Sequence, residues 1–221
     1  MKQFLSFVLA SSAALLTACN DQTTQPRSLA DGPSATAAAR RDINGDPRPV
    51  GGVYVSTNGA SGNAIVAFAR FENGALEKLG EFNTGGLGIG GGGDPLQSQG
   101  SVVVSPNHQR LFVVNAGSNS ISTFAIDNGA ALHLLGTVSS FGSGPISLAA
   151  TDTRLFVLNQ DNSVASYSIA GTGLPTPLGQ LSLGAASDGP STINASGDGR
   201  NVFVTERAAR EIAVVALDES G

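Results

Sequence analysis

From residue 51 onward the chain repeats itself. Arg110-Leu-Phe-Val-Val-Asn115 returns as Arg154-Leu-Phe-Val-Leu-Asn159, with Phe112 and Phe156 44 residues apart. A third copy, Arg200-Asn-Val-Phe-Val-Thr205, places Phe203 47 residues after Phe156. An earlier one, Val53-Tyr-Val-Ser-Thr-Asn58, lies 58 residues before the Phe112 copy, and the longer gap holds a glycine-rich insertion from Gly85 to Gly93. A second run follows each copy: Asn63-Ala-Ile-Val-Ala-Phe68, Asn119-Ser-Ile-Ser-Thr-Phe124, Asn162-Ser-Val-Ala-Ser-Tyr167 and Arg210-Glu-Ile-Ala-Val-Val215. A third run follows the first three copies, ending at Gly80, Gly136 and Gly179, and a short run precedes three of them at Ser101–Ser105, Pro145–Ala149 and Pro190–Asn194. Four short strands per unit at a period of about 40–50 residues predict β-propeller blades. Leu111-Phe-Val-Val114 is apolar throughout, as a sheet covered on both faces requires. A β-sandwich, the competing all-β fold, gives no reason for such a repeat.

The expected fold is therefore an all-β propeller of about four four-stranded blades over 49–221, with the last blade short of its outer strand. That is a partial ring. If each end face covers roughly 500 Å², leaving it wet forgoes on the order of 10 kcal/mol. The expectation is a truncated product, a second chain that completes the ring, or self-association.

The chain opens differently. Lys2 precedes an apolar run from Phe4 to Leu16, too short to span a bilayer but the right length for a signal-peptide core. It ends at Leu16-Thr-Ala-Cys19, and Cys19 is the single cysteine. This resembles the bacterial lipobox, which implies cleavage before Cys19 and acylation of that residue. Several acyl chains give a stable membrane anchor where one would be marginal. An ordinary secretory signal cut after Ala18 wants a small residue where Leu16 stands. Residues 1–18 thus read as a lipoprotein signal peptide. Residues 19–48, polar and without apolar period, read as a flexible tether. The expected location is the cell envelope, at the outer membrane, its periplasmic face or the cell surface.

Composition removes several functions. With 12 Lys and Arg against 17 Asp and Glu, the net charge is -5 and no basic stripe exists to neutralise phosphates, so nucleic acid is not an expected partner. Two His and one Cys cannot build a Cys/His zinc site. Asp42, Asn44 and Asp46 begin like a calcium loop, but the glycine and glutamate positions hold Pro47 and Val53. Gly86-x-Gly88-x-x-Gly91 formally matches a dinucleotide fingerprint, yet it precedes Asp94-Pro95 among propeller strands and not a helix; it reads as a flexible loop near the channel mouth. His108 sits in a turn and His133 on an outer strand, both structural positions. No cofactor is expected, and no Gly-x-Ser-x-Gly elbow is present.

The blocks Ser98-Gln-Gly-Ser-Val-Val-Val-Ser-Pro106, Leu111-Phe-Val-Val-Asn-Ala-Gly-Ser-Asn119 and Val202-Phe-Val-Thr-Glu-Arg207 resemble the seven-bladed lactonase family, which includes phosphogluconolactonase and carboxymuconate cyclase-like proteins. The resemblance covers the first half of a family domain. It implies His and Arg side chains around a central channel, with one His just before a strand of the Ser-Val-Val-x-Ser-Pro type. Here that block reads Gln97-Ser-Gln99-Gly100 and holds no His. Gln99 can hydrogen-bond a substrate but cannot transfer a proton near neutral pH.

The ligand-binding candidates are polar residues at loop positions of one propeller mouth: Gln99, Asn115, Asn159, Glu206 and Arg207. The alternative is that the asparagines only shape turns. No catalytic residue is assigned. Two functions follow: a ligand- or protein-binding module or scaffold, and a lactone hydrolase acting on a small lactone or sugar acid with its remaining blades supplied elsewhere.

Overall fold

A computed structural model describes residues 48–91, 99–171, 173–184 and 189–217. The signal peptide, Cys19 and nearly all of the tether lie outside them. The described chain is strands and tight turns, with one 3-10 turn at Ala116–Ser118.

Four antiparallel sheets follow one another along the sequence. The first is β1 (Gly51–Ser56), β2 (Ala64–Arg70) and β3 (Leu76–Asn83). The second is β4 (Val102–Val104), β5 (Arg110–Asn115), β6 (Ser120–Ile126) and β7 (Leu132–Ser139). The third is β8 (Pro145–Ala150), β9 (Arg154–Asn159), β10 (Ser163–Ser168) and β11 (Thr176–Ser182). The fourth is β12 (Pro190–Ala195), β13 (Asn201–Glu206) and β14 (Glu211–Ala216). Each is an up-and-down meander whose strands pair only with their sequence neighbours. This is a partial β-propeller. The repeat predicts β5, β9 and β13 as equivalent second strands, and they are; β1 is equivalent to them too. Among the described residues the first sheet thus lacks an inner strand and the fourth lacks an outer one.

The core consists of three separate layers, one between each pair of sheets. Ile65 and Ala67 meet Leu111, Val113 and Phe124 between the first and second sheets. Phe112, Val114 and Ile121 meet Leu155, Val157 and Tyr167 between the second and third. Phe156, Leu158 and Val164 meet Ile193, Val202 and Val204 between the third and fourth. Successive strand residues point to opposite faces, so Leu111 and Val113 pack backward while Phe112 and Val114 pack forward. That is why these strands are apolar at every position.

Polar bridges cross the same layers. Tyr54 Oη donates to the Ala130 carbonyl at 3.0 Å, and Tyr167 Oη donates to the Ser139 carbonyl at 2.6 Å. Burial pushes both phenols above the ordinary tyrosine value, Tyr167 strongly, with Asp127 adding to the rise at Tyr54. The Arg110 guanidinium donates to the Ile169 carbonyl and lies over the Phe112 ring, 5.6 Å from its centroid.

Candidate functional site

The inner strands carry the short side chains that border the channel. Val103 of β4, Leu148 to Ala150 of β8 and Thr192 to Ala195 of β12 line a cavity of about 1300 Å³. The turns between first and second strands close one side with Asp152, Asp198 and Arg200, joined by Arg154 at the start of β9. Asp198 is fixed within its own turn: its Oδ1 accepts from Ser196 Oγ at 2.5 Å and from the Arg200 amide at 3.0 Å. Those bonds, the side-chain one first, hold its carboxyl below the usual range. The cavity wall therefore offers neutral donors and acceptors along the strands and mixed charge at the turns.

Gln99 belongs to this cavity. Its carbonyl accepts from Ser147 Oγ and, at 3.4 Å, from Thr192 Oγ1. The Gly100 carbonyl accepts from the Leu148 amide at 2.9 Å. The backbone at 99–100 thus runs beside the inner strands of the third and fourth sheets. Gln99 as a residue is exposed and lines the cavity.

The other sequence candidates lie elsewhere. Asn115 and Asn159 end β5 and β9, and both are fully buried. Asn115 Oδ1 accepts from Asn63 Nδ2 at 3.0 Å and Thr84 Oγ1 at 2.8 Å, while its Nδ2 donates to Ser122 Oγ at 2.7 Å. The residue ties the first sheet to the second. Asn159 Nδ2 donates to the Ser140 carbonyl at 3.2 Å and to Ser163 Oγ at 3.1 Å, linking the second sheet to the third. Glu206 ends β13 at the equivalent position and is also buried. Arg207 is exposed in the following turn, its amide bonded to the Gly189 carbonyl at 2.9 Å. None of these four lines the cavity.

The glycine-rich segment serves these asparagines. A Cβ on Gly86 would lie 2.4 Å from the Asn115 side chain, and one on Gly142 would lie 2.4 Å from that of Asn159. Gly88 and Gly90 donate to the carbonyls of Gly59 and Asn58 at 2.8 Å. The segment 85–91 is held against its neighbours by these bonds and is not a free loop. The cavity-lining side chains that the sequence reading did not single out are Thr192, Asn194 and the charged residues Asp152, Arg154, Asp198 and Arg200. Among the described residues no group of three His, Cys, Asp or Glu side chains could hold a metal ion.

Against known proteins, the model of the lactonase, seven-bladed beta-propeller family matches residues 60–188, more than half of the chain. The chain belongs to this lactonase family. No curated protein matches it. Among solved structures it is similar to a protein from Lactobacillus plantarum at 22% identity and TM-score 0.61, covering 77% of this chain and 51% of that one. It is similar to a functionally unknown protein from Desulfotomaculum acetoxidans at 20% identity and TM-score 0.58, covering 78% and 56%. A periplasmic gluconolactonase from Pseudomonas aeruginosa follows at 19% identity and TM-score 0.57, covering 78% and 54%. Such similarities carry the fold alone. The lactonase-family chain spans about half the length of these relatives.

Proposed function

We propose that this chain is part of an exported propeller, anchored to the membrane through an acylated Cys19, that binds a small polar ligand of the lactone or sugar-acid class in the cavity between its inner strands. One observation carries the reading: the position before β4 that borders the cavity is Gln99. A carboxamide donates and accepts hydrogen bonds but offers no proton near neutral pH. Thr192 and Asn194 extend the same neutral hydrogen-bonding surface. A lactone hydrolase is the second reading, favoured by membership of the lactonase family.

Titration calorimetry on native protein extracted from membranes, with gluconate and its lactone, tests this. Binding without lactone turnover is expected, and Gln99→Ala should weaken it about tenfold, the equivalent of one hydrogen bond to a desolvated group. Lactone turnover above the buffer rate would replace the binding reading with the hydrolase. Cys19→Ala should move the protein from the membrane to the soluble fraction; retention at the membrane would remove the anchor.

A further inference from the structure

The sequence holds four Asn-Gly pairs, and three of them lie among the described residues: Asn58-Gly59, Asn73-Gly74 and Asn128-Gly129. Such a pair carries its own chemistry. Glycine has no side chain to keep its amide nitrogen away from the carboxamide carbon before it, and attack there closes a cyclic imide and expels ammonia. Two groups must be available: a carboxamide that can turn towards the nitrogen, and a nitrogen that can give up its proton. All three asparagines are exposed, so the hydrogen bonds around each pair decide which one meets both conditions.

At Asn58 the carboxamide is held at both ends, Oδ1 accepting from the Ile89 amide at 3.0 Å and Nδ2 donating to the Gly90 carbonyl at 3.2 Å. At Asn73, Oδ1 accepts from the Ala75 amide at 2.9 Å, and the Gly74 amide donates to the Phe71 carbonyl at 2.9 Å. Asn128, in the turn between β6 and β7, differs on both counts. Its carboxamide makes no hydrogen bond among the described residues. The Gly129 amide donates to a carboxylate, Asp127 Oδ1, at 2.8 Å. A general base must stand within about 2.6–3.2 Å of the group it deprotonates, and Asp127 does. The same oxygen accepts from the Ala131 amide at 2.9 Å, which fixes the carboxylate across the turn, and Oδ2 faces His133 Nε2 at 3.6 Å.

We propose that Asn128 is a self-deamidating site with Asp127 as its general base, and that its conversion loosens the junction of the first and second sheets. Asp127 takes the Gly129 proton as that nitrogen attacks Asn128 Cγ. The new N–C bond forms, the Cγ–Nδ2 bond breaks, and Nδ2 leaves as ammonia with that proton. Water then opens the imide at either carbonyl, which gives aspartate or isoaspartate and leaves Asp127 as it began. Isoaspartate routes the backbone through the former side chain and lengthens the turn by one carbon. That turn places Ala130, 5% exposed with φ of 69°, whose carbonyl accepts from Tyr54 Oη of the first sheet. A buried alanine in the left-handed region has little room to follow a displaced backbone, so the longer turn draws its carbonyl away from Tyr54.

The test ages the full chain at neutral pH in water enriched in heavy oxygen and reads its peptides by mass spectrometry. Label should enter at Asn128 at least about tenfold faster than at Asn58 or Asn73. In urea the three rates should converge, because the selection lies in the folded turns. Asp127→Asn keeps an acceptor for the Gly129 and Ala131 amides but removes the base; it should slow conversion at Asn128 about tenfold and leave Asn58 and Asn73 unchanged. An equal or faster rate at Asn58 or Asn73, or an unchanged rate at Asn128 in Asp127→Asn, would overturn the proposal. Should that variant not fold, the unsubstituted chain decides: folding that fails to favour Asn128 over the other two overturns it. The isoaspartate fraction, separated by chromatography, should unfold at lower urea than the unmodified chain, and an equal midpoint would overturn the link to the first sheet.

Discussion

Asn115 shows how much one short polar side chain can do at the end of an apolar strand. Its carboxamide joins Asn63, Thr84 and Ser122 in a closed network between two sheets, and Ser122 Oγ in turn donates to the Thr84 carbonyl at 2.8 Å. Removing it leaves several buried groups unpaired, each costing about 1–3 kcal/mol. Asn115→Ala should therefore lower stability by about 3 kcal/mol in urea unfolding; a loss below about 1 kcal/mol would mean that water replaces the carboxamide. Tyr167 gives the pH dependence. Its folded value lies above the ordinary one because burial disfavours the phenolate. The contribution is therefore fully present below about pH 10, where the unfolded phenol is also neutral, and is lost as pH rises beyond that. The urea midpoint should fall above about pH 10. Tyr167→Phe should flatten that fall without abolishing it, since Tyr54 is raised in the same direction, and should cost about 1 kcal/mol at neutral pH through the lost bond to Ser139. An unchanged alkaline slope in Tyr167→Phe would exclude this tyrosine as its source.

The strands were legible as elements, while the loops between sheets were not. An apolar run of four residues between Arg and Asn that returns after 44 leaves little freedom of interpretation, and β5 and β9 begin and end where the repeat puts them. The segments leading from one sheet to the next carry no such pattern, since their shape is set by what they must avoid. The residue after Thr84, Ser140 and Leu183 adopts a left-handed backbone in each case, with φ of 79° at Gly85, 53° at Phe141 and 90° at Gly184. Two positions use glycine, which adopts this region at no steric cost; Phe141 is a bulky residue held there. Its ring stands 6.1 Å from that of Tyr167. The middle sheets are covered on both faces and the end sheets on one, so protection should differ by element. Native-state hydrogen exchange should be slowest in β5 and β9 and faster in β1 and β14. Equal protection in all four strands would mean that the end faces are covered in solution.

At the scale of the whole molecule, the fold was carried by the repeat and the site was not. Asn115, Asn159 and Glu206 follow hydrophobic strands, so in sequence they read as mouth residues. In three dimensions each is the buried last residue of its strand, and over Asn115 and Asn159 the connection arriving from the preceding sheet closes, at Gly86 and Gly142. Sequence gives the distance along a strand but not what lies across its end. Gln99 was legible because it precedes an inner strand, and inner strands border the channel whatever their neighbours do. Thr192 and Asn194 sit within a strand whose composition gives no sign of facing a cavity. The layered core has one more consequence, for synthesis. Every interface joins sheets that are adjacent in sequence, so blades can form in order as they leave the ribosome, each using the last as its template. At about 5–20 residues per second a 44-residue repeat takes roughly 2–9 s to make. During that interval the newest blade presents a Phe112-type face and an unpaired edge strand to the surrounding solution. That is the window in which this protein is exposed to aggregation and to chaperones, and it reopens with every blade.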